Sequence, residues 1–293
     1  MSEKRTPGGI LVRKVRFEFP QDLKPHWHAT QPEWSQLVNS ASLLLPYLEP
    51  YLIDNIRNAL PHITDPALRE EAAGYIGQES QHFQQHRRLN DVLISRGYEQ
   101  LRAHEQQWAQ DYERFAKTRS LKFNLSYTAG LETFALAVSQ AMIKHRDLYF
   151  GGADPEVPSL FLWHFVEELE HKDVAFDVYQ HVYGHYWYRI YGMLFVLAHL
   201  VRRVRQGYII LFKADGVWGK WRTHWAIKRI TFRLCRHLIP RLVQYAMPWH
   251  HPSHVPDPAW AKEWVELYEQ GQKGLLKLDT SKLSLPLVPL PVA

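Results

Sequence analysis

Two Glu-x-x-His pairs, Glu79-Ser-Gln-His82 and Glu168-Leu-Glu-His171, constrain this chain more than any other feature. On a helix, side chains three residues apart share one face one turn apart, so each pair can approach a single cation cluster. Of the 18 glutamates, only these two have a histidine three residues later. One such pair alone is usually a solvated surface contact. Two pairs, each in a long helical segment, point to a shared buried partner.

The spacing of apolar residues and of helix breakers places these pairs. Glu33 to Leu60 reads as a helix kinked or broken by Pro46 and Pro50, ending near Pro61. Asp65-Pro66 is a good cap and first turn for a second helix to about Ser95, closed by Gly97. Residues 99 to 117, with Trp108, Tyr112 and Phe115 at helical spacing, read as a connecting helix. A third long helix is expected from Leu121 to Tyr149, before Gly151-Gly152, and a fourth from Ser159 to Tyr183, before Gly184.

The two remaining long helices each carry a glutamate among apolar neighbours. Glu49 shares a face with Leu45, Leu52 and Ile56, and Glu132 with Leu125, Thr128, Ala135 and Leu136. A buried carboxylate is costly unless paired or coordinated. The order is then Glu, Glu-x-x-His, Glu, Glu-x-x-His, one element per helix, which resembles the ligand set of ferritin-like di-iron and di-manganese carboxylate bundles. The fold class expected is all-α: a four-helix bundle over 33–185 carrying Glu49, Glu79, His82, Glu132, Glu168 and His171. An extended N-terminal arm (1–32), a basic aromatic-rich helical region packed on the bundle (186–278) and a Pro-rich extended tail (279–293) complete it. Asp54 stands in reserve for Glu49, whose neighbouring prolines disturb its helix.

His164 precedes Glu168 by four residues and His171 by seven, so the three fall within about 60° on the helix wheel. It is either a further ligand or a residue packed beside Trp163. This His-x-x-x-Glu-x-x-His string resembles the fourth helix of p-aminobenzoate N-oxygenase-type enzymes. That resemblance implies an oxygen-activating di-iron centre with His164 as an additional ligand. From Val15 through its aromatic C-terminal half, the chain also looks like a bacterial family labelled predicted metal-dependent hydrolases. His86, one turn beyond His82, and Glu167, beside Glu168, are placed to orient ligands by hydrogen bonds or to lie exposed. Glu167, four residues before His171, is also a fallback ligand.

Composition narrows the chemistry. The chain has 17 histidines but a single cysteine, Cys235. Disulfide frameworks, zinc–thiolate sites and Cys-ligated iron–sulfur clusters are thereby excluded, and any metal must use His and carboxylate. The N-terminal residues lack the apolar core of a signal peptide, which suggests a cytoplasmic location. Val15, Phe17 and Phe19 alternate with charged residues, as in a short strand or extended arm.

Charge is uneven: between Arg189 and Arg241 there are twelve Lys or Arg and one acid, Asp215. The longest uncharged run there, Ile190 to Val201, has 12 residues, too short to span a bilayer. Basic residues among Trp and Tyr suit an anionic membrane surface, with the protein peripheral to it, or an acidic carrier protein; a plain solvated face is the bland alternative. Nucleic acid ranks last, because no binding module is recognisable.

Three functional classes follow. The first is a non-haem di-iron oxygenase, taking two iron ions, O2, an external electron donor and a small organic substrate, hydrophobic or carrier-tethered. The second is a di-metal hydrolase of an ester or phosphate, with manganese or zinc as the alternatives to iron. The third is a metal-binding or membrane-associated scaffold. No catalytic residue beyond the metal centre is marked.

Overall fold

The computed structural model describes residues 9–287, in which all regular structure is helical and no strand occurs. In chain order the α-helices are α1 (Pro32–Ser42), α2 (Leu45–Ala59), α3 (Pro66–Ser95), α4 (Leu101–Thr118), α5 (Leu121–Lys144), α6 (Arg146–Phe150), α7 (Glu156–Glu170), α8 (Val174–Val182), α9 (Tyr186–Ala214), α10 (Trp221–Ala246) and α11 (Ala259–Glu269).

The prolines of the first helical stretch act differently from one another. The chain breaks at Leu43-Leu44, and Pro46 sits in the first turn of α2, where a missing N–H costs nothing. Pro50 lies inside α2 and cannot donate to the Pro46 carbonyl one turn back. Arg87 Nη2 on α3 donates to that carbonyl instead, at 3.0 Å. Glu49 is therefore held in a regular helix despite flanking proline.

α3 runs as the spacing predicts. Asp65 accepts from Ala67 N–H at 2.9 Å to cap its start, and Gly97 closes it with φ +101°. The third and fourth expected helices are each interrupted. α5 ends at Lys144, and a short α6 follows His145. α7 ends at Glu170, with His171 at its C-cap, and α8 resumes at Val174. Residues 171–173 contain neither glycine nor proline, so the sequence gives no local sign of this break.

The arm at 9–20 keeps the alternation read from sequence: Arg13, Val15 and Phe17 are buried while Lys14, Arg16 and Glu18 are exposed. It has no β partner. Instead the Gln85 side-chain amide on α3 accepts from Phe17 N–H at 3.1 Å and donates to the Val15 carbonyl at 3.0 Å. The tail, expected to be extended, makes a 3-10 turn at Thr280–Lys282 and buries Leu283 and Leu287. Residues 288–293 of that segment lie outside the described residues.

Apolar burial falls into two large clusters. One takes Leu48 and Leu52 of α2, Ala72 and Tyr75 of α3, Leu125 to Leu131 of α5, and Val174 to Tyr179 of α8. The other takes Leu89 and Leu93 of α3, Leu136 to Ile143 of α5, and Val157 to Leu169 of α7. Between them, α3 contributes buried Gln78, Glu79, His82, Gln85 and His86, α5 contributes Glu132 and Thr133, and the end of α7 leads to His171. A polar layer thus crosses the bundle at one level.

α9 closes over this bundle by backbone contact with α5. A Cβ on Gly130 would lie 2.6 Å from Met193 Cα, and one on Gly192 would collide with the Ser126 carbonyl. Overpacking at such a contact costs about 1–3 kcal/mol. Gly130→Ala and Gly192→Ala are therefore each expected to lower stability in urea denaturation by about that amount, whereas Gly219→Ala, with nothing within 4 Å, should stay within about 0.5 kcal/mol. Equal effects at all three positions would contradict the close α5–α9 contact.

Candidate metal centre

Glu49 of α2, Glu79 and His82 of α3, Glu132 of α5, and His164, Glu168 and His171 on and just after α7 converge in the polar layer, none more than 6% exposed. His171 Nε2 lies 3.2 Å from Glu79 Oε1, 3.6 Å from Glu168 Oε2 and 3.7 Å from Glu132 Oε2. His82 Nδ1 lies 3.6 Å from Glu79 Oε1 and 3.8 Å from Glu168 Oε1. His164 Nε2 is 2.9 Å from Glu168 Oε1 and 4.0 Å from Glu49 Oε1, and its ring stacks on His82 with centroids 4.2 Å apart. Three overlapping groups, Glu49/His82/His164, Glu79/His82/Glu168 and Glu79/Glu132/His171, each bring their ligand atoms within 4.8 Å of one another. Asp54, the reserve for Glu49, is instead an exposed partner of Arg57 at 3.2 Å.

Each imidazole is held from behind by its other nitrogen. His82 Nε2 donates to Glu167 Oε2 at 3.0 Å. Glu167 Oε1 in turn accepts from Arg13 Nη1 and Trp163 Nε1, both at 3.1 Å. His171 Nδ1 donates to Gln78 Oε1 at 2.8 Å. His164 Nδ1 meets His86 Nε2 at 2.9 Å, His86 Nδ1 meets Ser42 Oγ at 2.9 Å, and Ser42 donates to Asn90 Oδ1 at 2.7 Å.

The direction of this last chain is forced. Asn90 Oδ1 can only accept, so the Ser42 hydroxyl accepts from His86 Nδ1–H. His86 Nε2 then accepts from His164 Nδ1–H, and His164 Nε2 faces Glu168 Oε1 at 2.9 Å. Tyr75 O–H similarly donates to Glu132 Oε1 at 2.8 Å and turns Oε2 inward. His86 and Glu167 thus occupy orienting positions behind His164 and His82.

Electrostatics inside the cluster are dominated by burial. Burial, then Glu79 and the other carboxylates, pushes the Glu49 carboxyl well above the usual range. Burial and the Glu168 charge raise Glu132 to about 8. For Glu168 burial works upward, but the His171 charge and the close His164 and His171 imidazoles win and hold it well below that range. His82 rises to about 9: burial opposes its charge, but its bond to Glu167 and the nearby Glu79 carboxylate outweigh that. His171 rises well above its ordinary value against burial, chiefly through Glu168. His164 and His86 are pushed down by burial and by neighbouring imidazoles.

Several inward atoms have no hydrogen-bond partner: both Glu49 oxygens, Glu79 Oε1, His82 Nδ1, Glu132 Oε2, Glu168 Oε2 and His171 Nε2. Buried polar atoms are rarely left so. Sequence reading missed Gln78, Tyr75, Arg13, Ser42 and Asn90. Gln78 and Tyr75 stand within a turn or so of the Glu79–His82 pair, and Arg13 occupies the apolar register of the alternating arm, so those three carried a signal. Ser42 and Asn90 carried none.

The family model described as "predicted metal-dependent hydrolase" matches residues 11–255. No curated protein and no solved structure matches the chain.

Glu49 supplies a test of the electrostatics. An acid whose folded pKa is raised costs stability at any pH above its ordinary value, because folding must then take up a proton or bury a charge. Glu49→Gln is expected to stabilise metal-stripped protein at pH 7 by about 1–3 kcal/mol, with the gain shrinking as pH falls toward the ordinary carboxyl range. A destabilised, metal-stripped Glu49→Gln at pH 7 would contradict this picture.

Proposed function

The chain belongs to the family of predicted metal-dependent hydrolases, and from that premise we propose that Glu49, Glu79, His82, Glu132, His164, Glu168 and His171 hold two metal ions that serve hydrolysis. The observation that carries this reading is the set of partnerless ligand atoms turned toward one another on all seven residues except His164, whose Nε2 is aimed inward by His86 and meets Glu168 Oε1 at 2.9 Å. The groups around Glu49/His82/His164 and Glu79/Glu132/His171 suit one ion each, with Glu79 and Glu168 between them. Such a pairing is similar to the ligand sharing of ferritin-like di-metal bundles. Bound ions would supply Lewis-acid activation of water and of a carbonyl or phosphoryl oxygen.

The chain's own residues do the rest. Glu167, Gln78 and His86 fix the tautomers of the three imidazoles, and Tyr75 fixes Glu132. The imidazolium protons of His82 and His171, which now offset the carboxylates, leave when a cation takes over that role. Four carboxylates offset two divalent ions, so the filled site is near neutral and suits an uncharged ester better than a phosphate dianion. The slightly open edge is formed by His164 and Glu168, both 6% exposed, with Phe165 against His164. A substrate with an apolar acyl group fits that edge.

A second reading, oxidation of an organic substrate by O2 at two irons, is favoured by one feature: three imidazoles in a carboxylate cluster lean toward iron over magnesium. The two readings separate in one set of measurements. Protein loaded with Mn(II), Zn(II) or Fe(II) should bind two ions per chain and cleave p-nitrophenyl esters. Glu79→Ala should lose both properties, and Glu167→Gln should weaken metal binding about 10–100-fold. Absence of esterase and phosphatase activity in the loaded protein, with O2 uptake stoichiometric with Fe(II), would replace hydrolysis by oxidation. A Glu79→Ala protein that keeps two ions would sink both.

A further inference from the structure

The outer side of α10 has a pattern the bundle does not use. Trp221, Trp225, Phe232, Ile239 and Val243 are all more than half exposed. At 100° per residue they fall on one stripe about 40° wide. Arg222, Arg229, Arg233 and Arg236 run along one flank of that stripe, within a further band of about 60°. Arg229, Arg233 and Arg236 line a cleft of about 360 Å³ with His237, Phe232 and Leu148. No acid lines it, and Arg233 spends one contact on Gln31 Oε1 at 3.2 Å.

α9 repeats the pattern. Trp187, Tyr191, Leu194 and Val201 are exposed and lie within about 80° of one another on its wheel. Both helices rest on α1 and α5. Their ends are tied together, by the Tyr186 O–H bond to the Ala246 carbonyl at 2.9 Å and by the Phe212–Trp218 stack. The exposed stripes lie on the sides these two helices turn away from α1 and α5. On α9, Arg203 is paired with Asp111 of α4, but no acid lines the arginine cleft of α10. The one acid between Arg189 and Arg241, Asp215, is turned inward to Tyr98 at 2.6 Å, Gln36 at 2.7 Å and His26 at 2.9 Å.

An apolar stripe edged by arginine excludes a second copy of the same face, since like charges would meet. It matches an anionic bilayer, where the stripe enters the headgroup boundary and the cations meet phosphates. Tryptophans stand at both ends of α10: Trp221 and Trp225 at its start, and Trp249, 77% exposed, just past its end. Indole rings partition to the headgroup level of a membrane interface. No helix among the described residues is long and apolar enough to cross a membrane, so the contact lies in the plane of the surface.

We propose that the outer face of α9 and α10 docks this protein on an anionic lipid bilayer, with Arg229, Arg233 and Arg236 receiving lipid phosphates and the α10 stripe inserting beside them. The test is co-sedimentation of the full chain with vesicles of phosphatidylcholine alone and with about one third phosphatidylglycerol. Binding is expected only to the anionic vesicles, and to weaken at about 1 M salt. Replacing the three arginines by alanine should weaken it about a hundredfold, and Trp221→Ala with Trp225→Ala about tenfold. Lys117→Ala, on the exposed side of α4, should change nothing. Should the triple variant fail to fold by circular dichroism, Arg236→Ala alone is expected to cost about fivefold. Equal binding to neutral vesicles, binding to neither, unaltered binding by the folded variants, or tighter binding to a DNA duplex than to the anionic vesicles would each overturn the proposal.

Discussion

Four carboxylates buried at one level of a helical bundle set the terms for the rest of this structure. Isolated, each would be neutralised or expelled. Here they face three imidazoles whose outer nitrogens are all hydrogen-bonded, while most of the atoms turned toward one another have no hydrogen-bond partner. The supports reach well beyond the cluster. Arg13, fully buried on the arm, donates to Glu167 and to Glu170, and Gln78 joins His171 to Glu170 and to the Leu11 carbonyl. The arm is therefore part of the polar layer's scaffold rather than a loose leader.

The apolar part of the molecule is arranged around that layer. α3 and α5 each run from one hydrophobic cluster through the polar level into the other. The α7–α8 break at His171–Asp173 falls at the same level, so the chain passes from one cluster to the other just after delivering its last histidine. α9 then seals α5 through the Gly130–Gly192 contact, where only glycine permits the backbones to approach.

Much of this was legible in the sequence because helical spacing is strict. Two Glu-x-x-His pairs and two glutamates on apolar stripes were enough to name six of the seven residues that the fold brings together, the His-x-x-x-Glu-x-x-His string added His164, and α3 begins and ends where its cap and glycine say. The breaks at His145 and His171 were not legible, since no glycine or proline marks them and tertiary packing decides them. Ser42 and Asn90 were invisible for a related reason: their part in orienting His164 depends on a contact between α1 and α3 that no local pattern encodes. The reaction is also not written in the ligands. His, Glu and helix order specify a cation cluster, whereas hydrolysis and oxidation differ in the metal and the substrate.

Two metal ions held in this cluster are what we propose its seven residues are arranged for. The most direct measurement is a crystal structure of metal-loaded protein with anomalous data collected at the metal edge. Two peaks about 3.5–4 Å apart, enclosed by Glu49, Glu79, His82, Glu132, His164, Glu168 and His171, are predicted. A single peak, or peaks only at other histidines of the chain, would contradict it.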